Sequence, residues 1–355
     1  MSKVYFIDFK ASVKCNILEK LVKLFVTAGF NDLLVPGELV ACKLHFGEYG
    51  NTNFINPVFV KKLVETIKKS KAIPFLTDTG TLYAGRRMLA PTHIEQALWD
   101  GFGGAPIIIA DGLRGESYVS VKSEGAHFKD LKIASGIYYA DKMIVISHFK
   151  GHFGTGFGGA LKNLGMGCAA KQGKLEQHSG KPPVVNKKCT GCGLCIKWCP
   201  TQAITAIAGC SIELDGMAKI IPQKCIMCTS CISVCPSRAI DIDWGEATSR
   251  LQEAMAEYAK GAVYGKKGVG YINFLINIAP FCDCWPATEA FVTPDIGILA
   301  SFDPVSIDRA SYDMVEKASN GKFGKLWHQI KPEIQLDYAE KIGLGTQKYE
   351  IVEVE

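Results

Sequence analysis

Two cysteine runs constrain this chain more than anything else in it. Residues 189–200 read CTGCGLCIKWCP and residues 225–236 read CIMCTSCISVCP. Each is C-x2-C-x2-C-x3-C-P, and the second begins 36 residues after the first. A cubane cluster needs four thiolates converging on one compact object. Two-residue gaps let a turning backbone present three of them, and the fourth comes from the other run. The spacing therefore predicts one 4Fe–4S cluster on Cys189, Cys192, Cys195 and Cys235, and a second on Cys225, Cys228, Cys231 and Cys199. Pro200 and Pro236 turn the chain away after each fourth cysteine. The alternatives are a pair of zinc knuckles or a disulfide scaffold, but zinc usually takes cysteines in pairs and has no use for a doubled triplet followed by C-P.

From about Pro182 to Trp244 the sequence resembles a two-cluster bacterial-type ferredoxin, small and pseudo-symmetric. The segments TQAITA and SRAIDI match each other after the two C-P ends. The intervening SIELDGMAKIIPQKC is longer than a compact ferredoxin needs, and Cys210 beside it is spare, with packing its default role. Such a module accepts and passes single electrons. Between Asn186 and Asp243 it holds six Lys or Arg against four Asp or Glu. That mild positive balance suits a redox partner protein: an acidic ferredoxin, a flavodoxin or a reductase.

The 355 residues are 48% hydrophobic, enough for a large core. No run of about 18 apolar residues is present, so no membrane span is expected. MSKVYFIDFKAS reads as a first strand and not as a secretory signal, which points to the cytoplasm. A net charge of +5, dispersed over 40 basic and 35 acidic residues, gives no footprint for nucleic acid. Fourteen cysteines in a reducing compartment are more often metal ligands than disulfides.

Around the cysteine block, short apolar runs alternate with helical patterns, as in an α/β fold. Strands are expected at residues 3–8, 39–44, 72–77, 106–110 and 142–147, then at 271–278 and 296–300. Helices are expected at 16–28, 57–70, 91–101, 127–140 and 246–260, the last with Asp243 and Glu246 spaced as a capping pair. The expected fold is a mostly parallel sheet with flanking helices, interrupted by an inserted α+β ferredoxin-like domain. Residues 1–184 form the first part of the α/β domain, 185–244 the insertion and 245–355 the second part.

Polar residues gather after the strands, in HFGEYGN, DTGTLYAGRR, DGLRG, HFKGHFGTGFGG, APFCDCWP and SFDP. Ligands of parallel sheets sit at the carboxyl ends of strands, so these segments are expected to form a site. Its candidate catalytic residues are His148, Lys150, His152, Asp78, Arg86 and Arg87. Candidate cofactor-binding residues are Gly154, Gly156, Gly159, Lys162, Cys282 and Cys284. The three glycines fit G-x-G-x-x-G, but the preceding strand ends too early for a dinucleotide fingerprint. They suit close approach of the backbone to an anion or cluster, or tight turns packed on the ferredoxin segment. Lys150, Lys162, Arg86, Arg87 and Arg114 suit clamping of a carboxylate or phosphate. Cys282 and Cys284 suit a metal or a redox thiol pair, although one intervening residue is short for a disulfide; two packed thiols are the plain alternative. His45, His93, His127 and His178 are expected in ordinary polar roles, and Cys15, Cys42 and Cys168 in the core.

Taken together, HFGEYGN, DTGTLYAGRR, DGLRG, SHFKGH, GFGGALKNLGMG, GKLEQH and DIGILASFDPVSIDRA resemble the domain of unknown function 362 family over nearly the whole chain. The resemblance implies an iron–sulfur protein of anaerobic metabolism and carries no reaction with it. His45, Glu48, Asp78, Thr79, Arg86, Arg87, Asp111, His148, Lys150, His152, Lys162, Asn163, Asp303 and Asp308 match its motifs. The expected function is electron transfer through two 4Fe–4S clusters that feed a second redox or ligand site, making the chain a low-potential oxidoreductase acting on an anionic small molecule. A flavin or a further metal there is left open. The rivals are a non-enzymatic carrier that docks a partner enzyme, and a redox-gated binding or metal-maturation protein.

Overall fold

The computed structural model describes residues 1–206, 217–242 and 249–355. Cys210 and the Asp243–Glu246 capping pair lie outside the described residues.

The strands Leu39–Lys43 and Lys142–His148 sit near the middle of an eight-stranded sheet. Ala41, Met143 and Val145 face one helical layer, whereas Val40, Cys42, Ile144 and Ile146 face the other. Both faces of these strands are apolar because both are covered, as parallel sheets require. Helices Ile17–Thr27, Pro57–Lys69 and Ala90–Trp99 cover one face, and Ala160–Gly165, Ser249–Ala262, Pro304–Ala318 and Glu333–Lys341 the other.

In spatial order the strands are Tyr349–Glu353, Ser2–Asp8, Gly297–Ser301, Val269–Leu275, Lys142–His148, Leu39–Lys43, Ile73–Asp78 and Ile107–Ile109. Every neighbouring pair is parallel except those made by Gly297–Ser301. From Leu39–Lys43 the chain builds outward to Ile107–Ile109, then returns to the other side of Leu39–Lys43 as Lys142–His148. That reversal opens a crevice at the carboxyl ends of the two strands.

Three expectations need correcting. Gly297–Ser301 runs antiparallel to both neighbours, so the SFDP segment lies at the opposite end of the strands from the crevice. There Asp303 accepts from Ser2 Oγ at 2.8 Å and caps helix Pro304–Ala318 through the Val305 and Ser306 amides. Residues 127–140 are not one helix: Asp130–Ala134 pairs antiparallel with Tyr118–Lys122, and only Ser135–Tyr138 is helical. The alternation of Leu131 and Ile133 into the core has period two, which fixes a strand. The edge strand Tyr349–Glu353 was not expected; its half-buried residues give a weak pattern.

The cysteine segment is built from short pieces. Val184–Val185 pairs with Ile240–Asp241 and Ile204–Ala206 with Ala218–Ile220, beside the one-turn helices Leu194–Lys197 and Ser230–Val234. Leu82 and Leu175 of the larger body join its apolar cluster with Cys195, Ile204, Cys231, Ile232, Ile240 and Ile242. Among the described residues no helix is long and apolar enough to cross a membrane.

Candidate functional site

Eight thiols meet in two cavities of the cysteine segment. Cys189, Cys192, Cys195 and Cys235 line one, and Cys199, Cys225, Cys228 and Cys231 the other. Each cavity combines three thiols of one run with the last thiol of the other, and none of the eight is in a disulfide. Left-handed backbone recurs at matching places in the two runs: Gly191 with Met227, Gly193 with Thr229, and Gln202 with Arg238. For a non-glycine residue that conformation is unfavourable, so a segment that adopts it at Gln202, Met227, Thr229 and Arg238 has a reason to turn its amides. The amide after the third pair shows the reason. Ala203 N donates to Cys199 Sγ at 3.1 Å, and Ala239 N to Cys235 Sγ at 3.2 Å. Ala218 N and Met227 N donate to Cys189 and Cys225 sulfurs at 3.4 Å each. Burial, followed by the neighbouring Cys228 and Cys225, pushes the Cys231 thiol up to about 12. Such a cavity holds thiolates when a cationic center compensates them, and four converging sulfurs with amide donors fit an iron–sulfur cluster.

The second assembly lies in the crevice. Asp78 ends its strand with Oδ1 3.0 Å from Lys43 Nζ and Oδ2 3.5 Å from Arg87 Nη1. Burial alone would raise its pKa, but Lys43, His93, His45 and Arg87 outweigh it and hold the carboxyl well below its ordinary range. Lys43 Nζ also donates to Asn163 Oδ1 at 2.7 Å. Arg87 Nε donates to Glu48 at 3.1 Å, and Tyr83 donates to the same oxygen at 3.0 Å. Beyond them, Lys174 donates to Thr79 Oγ1 at 2.5 Å and to the Gly80 carbonyl at 2.6 Å, near Asp111. Burial lowers both Lys171 and Lys174 to about 8.

On the neighbouring strand, His148 Nε2 donates to the Ile276 carbonyl at 2.7 Å while Nδ1 meets Asp283 Oδ1 at 2.7 Å. Lys150 Nζ lies 3.1 Å from the other oxygen of Asp283. Both nitrogens of His148 are thus occupied, one by the Ile276 carbonyl and the other by Asp283, the residue between Cys282 and Cys284. Those two cysteines form a disulfide, where packed thiols were the plain alternative. His152 and the two sulfurs place one ligand atom each within 4.8 Å of one another.

Two groups point at empty chemistry. Lys162, which no acceptor among the described residues engages, is lowered to about 7 by burial and then by Lys150. His45 Nδ1 accepts from the Gly47 amide at 3.0 Å, which leaves its buried Nε2 as a donor with no partner. In all, Lys43, Arg87, Lys150, Lys162, Lys171 and Lys174 face Glu48, Asp78, Asp111 and Asp283, an excess of positive charge that an anion would balance.

The profile of the domain of unknown function DUF362 matches residues 40–313, a span that includes both assemblies. The chain belongs to the DUF362 family. No curated protein matches it. Among solved structures, the DUF362 chain is similar to the lactate racemase apoprotein from Thermoanaerobacterium thermosaccharolyticum, at 13% identity and a TM-score of 0.39, over 77% of this chain and 50% of that one. It is also similar to a protein from Thermotoga maritima, at 12% identity and a TM-score of 0.42, over 88% of this chain and 58% of that one. It therefore spans less than two thirds of the length of either.

Of the residues singled out in the DUF362 sequence, Asp78, Arg87, His148, Lys150, His152, Lys162, Cys282 and Cys284 belong to this crevice. Arg86 lies on the surface, its guanidinium 4.1 Å from the Tyr49 ring. The glycines serve close packing. A side chain at Gly156 would meet Pro332 at 2.6 Å, and one at Gly159 would meet Asp308 at 2.3 Å. Gly154 follows the end of the Lys150–His152 strand, which pairs with Gly156–Gly158. Arg114 sits over the Trp198 ring of the cysteine segment at 4.7 Å. Lys43, Tyr83, Asp283, Lys171 and Lys174 were missed. A lysine inside the apolar LVACKL and an aspartate between two cysteines were the available signals.

Proposed function

We propose that this chain is an iron–sulfur protein that holds two 4Fe–4S clusters and delivers electrons to a small anionic ligand in the crevice. The observation that carries the reading is the crossed division of eight thiols into two cavities of four. Two such clusters supply single electrons at low potential. The chain's part is to hold the sulfurs, aim the amides of Ala203 and Ala239 at them, and receive electrons from a redox partner such as a ferredoxin or flavodoxin. Residues 185–244 form the inserted electron-transfer unit, and Lys171, whose Nζ donates to Ser233 Oγ at 3.0 Å, ties it to the crevice. In the crevice, Lys150, Lys162 and the Nε2–H of His45 bind the anion. This makes the protein an oxidoreductase. A pure carrier would have no use for an unpartnered histidine donor near the buried Lys150 and the half-buried Lys162.

Iron and acid-labile sulfide measured on anaerobically purified protein test the clusters. About eight of each per chain are expected. Cys235→Ser and Cys199→Ser should each drop both counts to about half, with opposite clusters surviving in the electron paramagnetic resonance spectrum. Zinc without sulfide would overturn the reading.

A further inference from the structure

We infer that His152, Cys282 and Cys284 form a metal site of their own, which takes a thiophilic divalent ion once the Cys282–Cys284 disulfide is reduced. This deepens the crevice site of the reading above and does not depend on the clusters.

The three ligand atoms already lie within 4.8 Å of one another. Ligands of a tetrahedral zinc ion stand about 3.5–3.8 Å apart, given Zn–S near 2.3 Å and Zn–N near 2.0 Å. Forming the site therefore takes the two sulfurs, about 2 Å apart in a disulfide, moving apart by about 1.7 Å and His152 drawing in by about an ångström. Each ligand is held from behind. The Gly154 amide donates to His152 Nδ1 at 3.1 Å and Thr155 Oγ1 lies 3.0 Å from the same nitrogen, so an ion would take Nε2, moving the ring hydrogen to Nδ1 and releasing the Gly154 amide. The Thr155 hydroxyl donates to the Phe157 carbonyl at 2.7 Å, so its oxygen can accept the Nδ1–H of a metal-bound ring.

The cysteine loop is clamped against the same strand. Gly151 N donates to the Ala279 carbonyl at 2.9 Å, and a side chain at Gly151 would meet the Pro280 oxygen at 2.2 Å. Asp283 is anchored by His148 and Lys150, and Trp285 N closes the turn on the Cys282 carbonyl at 2.9 Å. A loop anchored at its middle residue presents both flanking sulfurs to one side, which a chance pair of thiols would not do. Three protein ligands leave a fourth position open, as in zinc sites that act on a substrate.

The disulfide form excludes the ion, because neither sulfur is a thiolate. Opening it takes two electrons and two protons. The S–S bond breaks, two S–H groups form, and the reductant (a low-potential electron carrier or a dithiol) is oxidised by two electrons. Binding the ion then releases both thiol protons.

Zn2+ is the probe. The cluster-loaded protein, reduced anaerobically with a phosphine, is equilibrated with Zn2+ against a weak chelator and its metals are counted. About one zinc per chain is expected beyond that held by the air-oxidised protein. Cys282→Ser, Cys284→Ser and His152→Ala should each weaken it at least tenfold, and zinc-edge absorption should show two sulfurs and one nitrogen. Iron and sulfide, counted on the same samples, read the clusters separately and should not change in any variant. No additional zinc on reduction, or zinc retained when both cysteines are replaced, would overturn the proposal.

Discussion

The thiol cavities and the crevice solve the same problem, polar groups away from water, in opposite ways. All eight thiols come from residues 189–235, and backbone amides turned by left-handed residues meet their sulfurs. The crevice draws Lys43, Asp78, Arg87, Lys150 and Asp283 from separate strands and loops, and its charges answer one another. The first is a local device that waits for a metal center. The second is a product of sheet topology and stands or falls with the folded core.

The sharpest way to break that contrast is Asp78→Ala. It would strand Lys43 and Arg87 beside each other in a buried site. Removing one partner of a buried pair costs about 3–5 kcal/mol. Urea unfolding followed by circular dichroism should show that loss, whereas Cys235→Ser should alter iron content and leave the sheet's unfolding midpoint nearly unchanged. Pairing Asp78→Leu with Lys43→Met should recover much of the stability, because the isolated charge is what costs. A loss below about 1 kcal/mol for Asp78→Ala would show that the crevice charges are solvated like a surface network.

The same contrast explains what the sequence could tell. Cysteine spacing is a one-dimensional code, so the ligand set of each cavity can be written down before any fold is known. Seven sheet strands were legible as short apolar runs; the central ones are buried on both faces, whereas Ser2–Asp8 and Ile107–Ile109 are only partly so. The direction of Gly297–Ser301 was not legible, since an apolar strand reads alike either way; its reversal puts Asp303 at the far end of the strands. Lys43 was overlooked because a lysine at the end of a strand is ordinarily a solvated terminus. Only the arrival of Asp78 from the adjacent strand and Asn163 from a distant helix makes it a buried cation. His148 was legible as a site residue but not as the support of Asp283, 135 positions away.

A smaller effect separates the crevice's supports by pH. Asp308 accepts from the Ala160 and Leu161 amides at 2.7 and 2.8 Å and from Asn273 at 2.8 Å, yet burial pushes its carboxyl up to about 6. The unfolded carboxyl titrates near 4, so between about 4 and 6 the native state holds more protons than the unfolded chain. Stability from this group is full below that window and declines as pH rises through it, by roughly 3 kcal/mol in all. Asp78 and Asp283, held low by their cationic neighbours, contribute slopes of the opposite sign at lower pH. The comparison is therefore between the native protein and Asp308→Asn, unfolded in urea at pH 4.5 and 6.5. The native protein should lose more stability than the variant across that step. Equal changes would mean that the amide donors, and not burial, govern the carboxyl.

The smallest expected effect lies on the seam between the two regions. Arg114 belongs to the loop after strand Ile107–Ile109, yet its guanidinium covers Trp198 in the first cysteine run, and its carbonyl accepts from Ser233 Oγ at 3.2 Å in the second. Trp198 is half exposed, so the cation–π contact is worth about 0.5–1 kcal/mol. A double-mutant cycle over Arg114→Ala and Trp198→Ala, read by urea unfolding of the cluster-loaded protein, should return a coupling of that size. The carbonyl bond to Ser233 survives Arg114→Ala, so the cycle isolates the ring contact. Zero coupling would leave the seam to the Arg114 carbonyl, Lys171, Gln172, Leu82 and Leu175. The cysteine segment would then be held at its second run and by its apolar cluster, which reaches the first cavity through Cys195.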